Sequence, residues 1–424
     1  MAETARPWIL RSLLIAIAIV TVLLGRGLVS SNDGSHLALA RALVLRGETT
    51  IDPDVALTLW IDRAERDGHH YSDRPPGTAF LAMPAVWLGA QLDPVLTARS
   101  MESGQVTIGP ASDPYATTYV ARAKKYGRAP TLVQFQGTAL LLRIHCALVG
   151  ILGLWLLDAW LRGRGFDRGP RLFALLATAS ATLWGPYSTM LFSHVTSATS
   201  WCAMLLAIDR ARAHEGWRWP ALAGLAGAWA VASDYLLVIP IGLQLALLVP
   251  RARWHFVALG ALPLVAATLG YHAAAFGSPL SIGYDYSASF DFARTRAATF
   301  SGDPSNGVWT LFGLGRGAGV LAQSPVLALG IGGLFMRTRW RELAPLAPWV
   351  VLLCLHRTPF GGDTLDHRYI LPAVPLVAHG FAQVWDRWVT HGVRLRSIHA
   401  LGVLLLTATS VVLVWSHFFA WRDG

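Results

Sequence analysis

The sequence is poor in charge and poorer still in cysteine. Only 14% of its 424 residues are charged, against 54% hydrophobic, and the mean hydropathy is +0.44. Soluble domains carry about 25% charged residues, so this chain cannot cover itself with a water-facing surface, and a polytopic membrane protein is expected. The three cysteines, Cys146, Cys202 and Cys354, all fall inside apolar stretches. That excludes an extracytoplasmic disulfide framework and any Cys-type metal spacing. There is no internal repeat. The Gly313-Leu314-Gly315-Arg316-Gly317 run lacks both a preceding strand and a trailing Lys-Ser, which excludes a nucleotide phosphate loop. The net charge of +10 does not point to nucleic acid, because the basic residues form short clusters between apolar runs, as cytoplasmic loops do.

What the sequence does have is long apolar runs in a fixed alternation with arginine. The first run, residues 13–29, follows Arg6 and Arg11 and is longer than a signal-peptide core, so it reads as a retained span entering from the cytoplasm. Further clusters, Arg162 to Arg171, Arg210 to Arg218, Arg251 and Arg253, Arg337 to Arg341, and Arg387 to Arg396, mark the other cytoplasmic turns. Ten more apolar segments lie between Gly137 and Ala420. The expected fold class is therefore an all-α polytopic membrane protein, one integral membrane domain over residues 1–424, with about eleven transmembrane helices and no separate soluble C-terminal domain. Residues 75–92 are apolar enough to cross, yet a crossing there would put the Arg162 to Arg171 cluster outside. They are expected to lie at the interface as a juxtamembrane helix, within one long extracytoplasmic loop over residues 29–133.

That topology gathers the unusual polar residues on the outer side. The first loop holds Asp33, His36, Tyr71, Asp73 and Arg74; later turns add Ser193-His194, Asp234, the loop 277–307 and His367-Arg368-Tyr369. The Asn32-Asp33-Gly34 turn after the first span, followed by Tyr71-Ser72-Asp73-Arg74-Pro75-Pro76, resembles the C-type-fold membrane glycosyltransferases that use polyprenyl-phosphate sugars, such as the protein O-mannosyltransferases and the lipid A aminoarabinose transferases. Those enzymes close the first loop with an acidic-Lys-Pro-Pro motif; here Arg74 stands where they have Lys. Phe276-Gly277-Ser278-Pro279-Leu280 with Gly283-Tyr284, Gln323-Ser324-Pro325, and Phe360-Gly361-Gly362 with Arg368-Tyr369-Ile370-Leu371-Pro372 extend the likeness over most of the chain.

The resemblance implies sugar transfer from a polyprenyl-phosphate donor to an acceptor hydroxyl of a lipid, glycan or protein, at the outer face of a bacterial inner membrane. A hydroxyl attacking an anomeric carbon must lose its proton, so a carboxylate is needed, and Asp33 is the expected base. The plain alternative is that Asp33, with Ser35, caps the helix that starts there. The departing lipid phosphate calls for guanidinium, expected from Arg74 and Arg368, with Tyr71, Tyr369, His194 and Arg316 also expected at the substrate. Asp73 is left three roles: orienting Arg74, meeting the acceptor, or helping to hold a divalent cation. No cofactor is expected, since His36, His69 and His70 lack metal-ligand spacing. A transporter or lipid flippase, and a glycan ligase of another fold, remain the rival classes.

Overall fold

The computed structural model describes residues 7–25, 30–97, 136–313, 319–359, 361, 367–390 and 396–423. Its helices follow the apolar runs closely. In order these include α1 (Pro7–Leu24), α2 (Ser31–Arg41), α3 (Gly77–Thr97), α4 (Gln136–Gly163), α5 (Arg168–Ala181), α6 (Ser193–Ala213), α7 (Arg218–Ser233), α8 (Val238–Leu248), α9 (Trp254–Phe276), α10 (Pro304–Phe312), α11 (Val326–Arg337), α12 (Leu346–Leu355), α13 (Val374–Val384) and α14 (Arg396–Asp423). Four helical stretches are long and apolar enough to cross a membrane: Gly77–Leu96, Gln136–Gly163, Arg251–Phe276 and Arg396–Ala420. Leu10–Leu24, Tyr235–Leu248 and Val326–Arg337 are shorter apolar helices.

Several expected spans are broken, each at an identifiable residue. The run expected over 318–336 stops at Gln323 and restarts at Val326 across Ser324-Pro325, because proline disfavours helix in the residue before it. The run expected over 369–384 opens as a tight 3₁₀ turn, Arg368–Ala373, and becomes α-helical only from Val374. Pro372 and Pro375 remove two backbone donors there. The expectation of an all-α chain needs one correction: the first loop contains an antiparallel hairpin, β1 (Arg63–Arg66) and β2 (His69–Ser72).

Two apolar cores result. The larger one runs through the bundle and includes Trp160, Trp184, Trp201, Trp349 and Phe381. The helices close on one another through small residues, as membrane helices do. A Cβ placed on Gly380 of α13 would sit 1.8 Å from the Gly330 carbonyl oxygen of α11, so those two backbones touch. The smaller core packs α2, α3 and the first loop against Leu142, Cys146, Tyr271 and Phe276. At the arginine-rich end, Arg164 binds Asp209 at 2.8 Å and Glu342 at 2.7 Å. Arg253 of the neighbouring turn donates to the carbonyls of Ala211 and His214. His194 stands near the other end of the helix that carries Asp209, about 22 Å away at the usual helical rise.

Candidate active site

The hairpin aims the first loop. Asp67 (φ +52°) and Gly68 (φ +81°) form its two-residue turn, and left-handed conformation at both positions suits the twist of paired strands. The ladder runs from Arg66↔His69 to Arg63↔Ser72, so Asp73 is the first residue beyond it. Pro75 and Pro76 cannot extend a strand, and α3 begins directly after them. An isolated bridge between Ala64 and Ser287 and the bond from Ala288 N to Arg63 O (2.9 Å) tie the hairpin to the later loop. Ser72 Oγ meets Ser35 Oγ of α2 at 2.8 Å. Gly283 presses on the same strand end, and a Cβ there would lie 2.7 Å from Asp73 Cα. Backbone from three parts of the chain thus fixes where Asp73 and Arg74 sit.

Arg74 pairs with Asp62, which also accepts a hydrogen bond from Ser31 Oγ at 2.5 Å. Its Nε is 3.3 Å from Asp73 Oδ1, and its guanidinium lies 6.0 Å from the Tyr284 ring centre. Asp73 is wholly buried, and neither carboxylate oxygen makes a hydrogen bond. Burial pushes its carboxyl up to about 7; Arg74 pulls the other way and Asp62 adds to the rise. His36, on α2, is also wholly buried, with no partner on either ring nitrogen. Burial, aided by the charge of Arg74, lowers it to about 3, so at neutral pH its ring is uncharged.

The facing wall comes from later helices. His194, buried at the start of α6, packs edge-on to Tyr369 with ring centres 5.7 Å apart. Its Nδ1 stands 4.0 Å from Asp234 Oδ2 at the end of α7. The Arg368 guanidinium lies 5.4 Å from the Phe192 ring centre and 5.6 Å from that of Tyr369. His367, just before it, holds φ +56°, a conformation uncommon outside glycine and frequent at functional sites. Arg368, Arg74 and His36 all lie near enough to His194 to act on it electrostatically.

Five expected residues therefore come together: Asp73, Arg74, His194, Arg368 and Tyr369. Tyr71 turns away into the smaller core, with its ring centre 5.5 Å from that of Phe276. Arg316 lies outside the described residues. Asp33 is buried in the first turn of α2, where Ser30, not Asp33 or Ser35, is the cap. Asp33 closes the capping box, its Oδ1 accepting from Ser30 N at 2.8 Å. Asp62, His36, Asp234 and Tyr284 belong to the cluster without having been expected as site residues. Asp62 was one acid among many in the loop, and only its pairing with Arg74 singles it out. Among the described residues no three His, Cys, Asp or Glu side chains are grouped to hold a metal.

The path of the whole chain matches solved membrane enzymes. ArnT from Cupriavidus metallidurans bound to undecaprenyl phosphate aligns with a TM-score of 0.51 at 15% identity, over 99% of this chain and 76% of that one. Its apo form gives 0.50 at 15%, over 98% and 75%. The apo Archaeoglobus fulgidus oligosaccharyltransferase gives 0.52 at 13%, over all of this chain (100%) and 57% of its own. The chain has the C-type glycosyltransferase fold. It is accordingly a polytopic helical membrane protein, as its composition requires. No family model and no curated protein matches the sequence. In this C-type fold the convergent cluster and the arginine-rich turns occupy opposite ends of α6.

Proposed function

We propose that the chain is a glycosyltransferase that moves a sugar from a polyprenyl-phosphate donor to an acceptor hydroxyl at the outer face of a bacterial inner membrane. The observation that carries this reading is the convergence on buried His194 of Arg368 and of Arg74, which itself adjoins the buried carboxylate Asp73, within a C-type fold. In the proposed reaction the acceptor oxygen bonds to the anomeric carbon as the bond from that carbon to the phosphate oxygen breaks. The electron pair leaves on the phosphate, where the two guanidiniums stabilise it. The acceptor proton passes to a carboxylate, Asp33 by the family resemblance, with Asp73 as the second carboxylate of the site. That ArnT was crystallised with undecaprenyl phosphate supports a lipid phosphate as the leaving group.

Two features support the proposed sidedness of about eleven crossings. The arginine clusters gather at the end of the bundle opposite the site, as positive-inside orientation requires. The C-terminal part of α3 packs on the first turns of α4, with Asp93 Oδ1 accepting from Thr138 N at 2.8 Å. Those turns lie beside the exit of α1, where Arg143 donates to Val22 O at 2.8 Å. That placement supports α3 as a helix that stays on one side. A transporter would hold its charges near the midplane; here they sit at one end.

The test is transfer of radiolabelled sugar from polyprenyl-phosphate donors to endogenous acceptors in membranes, with Asp33→Asn and Asp73→Asn alongside the wild type. Asn keeps the capping geometry of residue 33 while removing the proton acceptor, and a fall of roughly a hundredfold or more is expected. Equal transfer in wild type and both variants would refute the assignment.

A further inference from the structure

His194 is buried near the start of α6, and the partly exposed Asp234 follows the last residue of α7. Of the two imidazole nitrogens, it is Nδ1 that is sealed from solvent without a hydrogen-bond partner. A buried polar atom in that state costs stability, so it needs an explanation. The nearest charged oxygen is Asp234 Oδ2, at 4.0 Å. Asp234 Oδ1 is already committed, accepting from Leu236 N at 3.1 Å as the cap of the short turn Tyr235–Leu237. The second oxygen is thus held toward His194 by a backbone bond to the first. A gap of 4.0 Å closes to a hydrogen bond with a small rotation of either side chain, and site hydrogen bonds are often long before substrate arrives.

We propose that Asp234 is a positioning residue for His194. It fixes the ring as the Nδ1–H tautomer, so that Nε2 is left as a hydrogen-bond acceptor for a hydroxyl of the bound substrate. The part concerning substrate rests on the proposed glycosyl transfer; the tautomer does not. The groups around the ring are compatible with this role. Arg74 and Arg368, the two proposed phosphate ligands, act on it electrostatically, as does His36, and Tyr369 packs on its face. The two guanidiniums supply only donors, in a site where the substrate brings many hydroxyls. A nitrogen that accepts complements those donors. An aspartate fixing the tautomer of a working histidine is a recurrent arrangement in enzymes.

Three substitutions separate positioning from folding. Asp234→Asn keeps the cap through its single amide oxygen but turns an N–H donor toward Nδ1 in place of the second oxygen. Asp234→Ser keeps the cap, since serine caps as well as aspartate, but is too short to reach His194. Asp234→Asn is expected to lose transfer while staying folded, because its NH2 favours the Nε2–H tautomer. Asp234→Ser should lose roughly tenfold or more through misorientation, mainly in the maximal rate, with its thermal midpoint in detergent unchanged. In a His194→Ala background Asp234→Ser should cost nothing further, because the two residues act as one unit. Independently of any activity, nitrogen NMR of ¹⁵N-histidine-labelled protein in detergent, with the His194 signal assigned by its loss in His194→Ala, should report Nδ1–H in the wild type. In Asp234→Asn and in Asp234→Ser the signal should shift toward Nε2–H. The inference is overturned by an unchanged tautomer in Asp234→Ser, or by wild-type transfer in that variant. A shifted tautomer without any transfer activity in the wild type would sink the glycosyl-transfer reading and leave the positioning role standing.

Discussion

Replacing Asp73 with asparagine should stabilise the protein and disable it at once. Asp73 is buried beside Arg74 without a hydrogen bond to either oxygen, and its carboxyl is raised from the ordinary 3.8 to about 7. A raised acid binds its proton more tightly in the folded chain than in the unfolded one. Its favourable contribution is therefore complete below about pH 4 and is lost as pH climbs through about 7. Three pKa units correspond to about 4 kcal/mol, the upper bound on what the ionised carboxylate costs the fold at pH 8. Asparagine is neutral throughout and nearly the same shape. The variant and the wild type should thus melt alike near pH 4. By pH 8 the variant should melt several degrees higher, a shift readable by thermal unfolding of the purified protein in one detergent across a pH series. Sugar transfer by the wild type should rise as pH passes about 7, if the ionised form is the working one, while the variant stays inactive. A variant that is less stable than wild type at pH 8 would mean that Arg74 holds Asp73 as a settled ion pair. The account of a strained, functional carboxylate would then fail.

Other outcomes follow from the same geometry. Arg74→Lys should keep part of the activity and Arg74→Ala should lose most of it, with Arg368→Lys hurt more than Arg74→Lys, because a lysine cannot offer phosphate a planar fork. The measured quantities are the maximal rate and the donor concentration for half-maximal transfer, and unchanged values in Arg74→Ala would remove Arg74 from the donor site. A cysteine placed at Gln91, exposed on α3, should react with an impermeant thiol reagent from the same side as one placed at exposed Glu65; labelling from opposite sides would make α3 a crossing helix. Gly380→Ala should lower stability by about 1–3 kcal/mol, since its Cβ would meet Gly330 O at 1.8 Å and the two helices must part. A melting temperature equal to wild type would show that the α11–α13 contact is looser than described.

The sequence was most legible where a single physical quantity decides the outcome. Apolar length alone put helices at 137–161 and 398–420, and the structure has Gln136–Gly163 and Arg396–Asp423. Motif order placed Asp73, Arg74 and Arg368 among the candidates, and position at the outer start of a span added His194; Arg74 and Arg368 both lie near His194. The hairpin was missed although Asp67-Gly68 is a strong turn signal. Its strands, Arg-Ala-Glu-Arg and His-His-Tyr-Ser, lack the alternation of a half-buried strand, and part of their pairing comes from Ser287. Tyr71 was expected at the substrate because it neighbours Asp73. Asp73, however, lies just beyond the last residue of the strand, so strand periodicity does not tie it to the face of Tyr71, and Tyr71 joins Phe276 in the smaller core. The link between Asp62 and Arg74 depends on the hairpin bringing its two ends together, which no local pattern announces.

The bridge between Ala64 and Ser287 also sets an order of events during biosynthesis. The first loop is made early, but the segment that completes its hairpin edge does not exist until residue 287 has been made. Arg368 comes later still. At about 5–20 residues per second, the ribosome needs roughly ten seconds to a minute to supply those partners. Throughout that interval the first loop must stand on its own contacts, chiefly Arg74 with Asp62 and the capping box of Ser30 and Asp33. The pair of Asp62 with Arg74 needs nothing beyond residue 74, so it can form before the rest of the site is made.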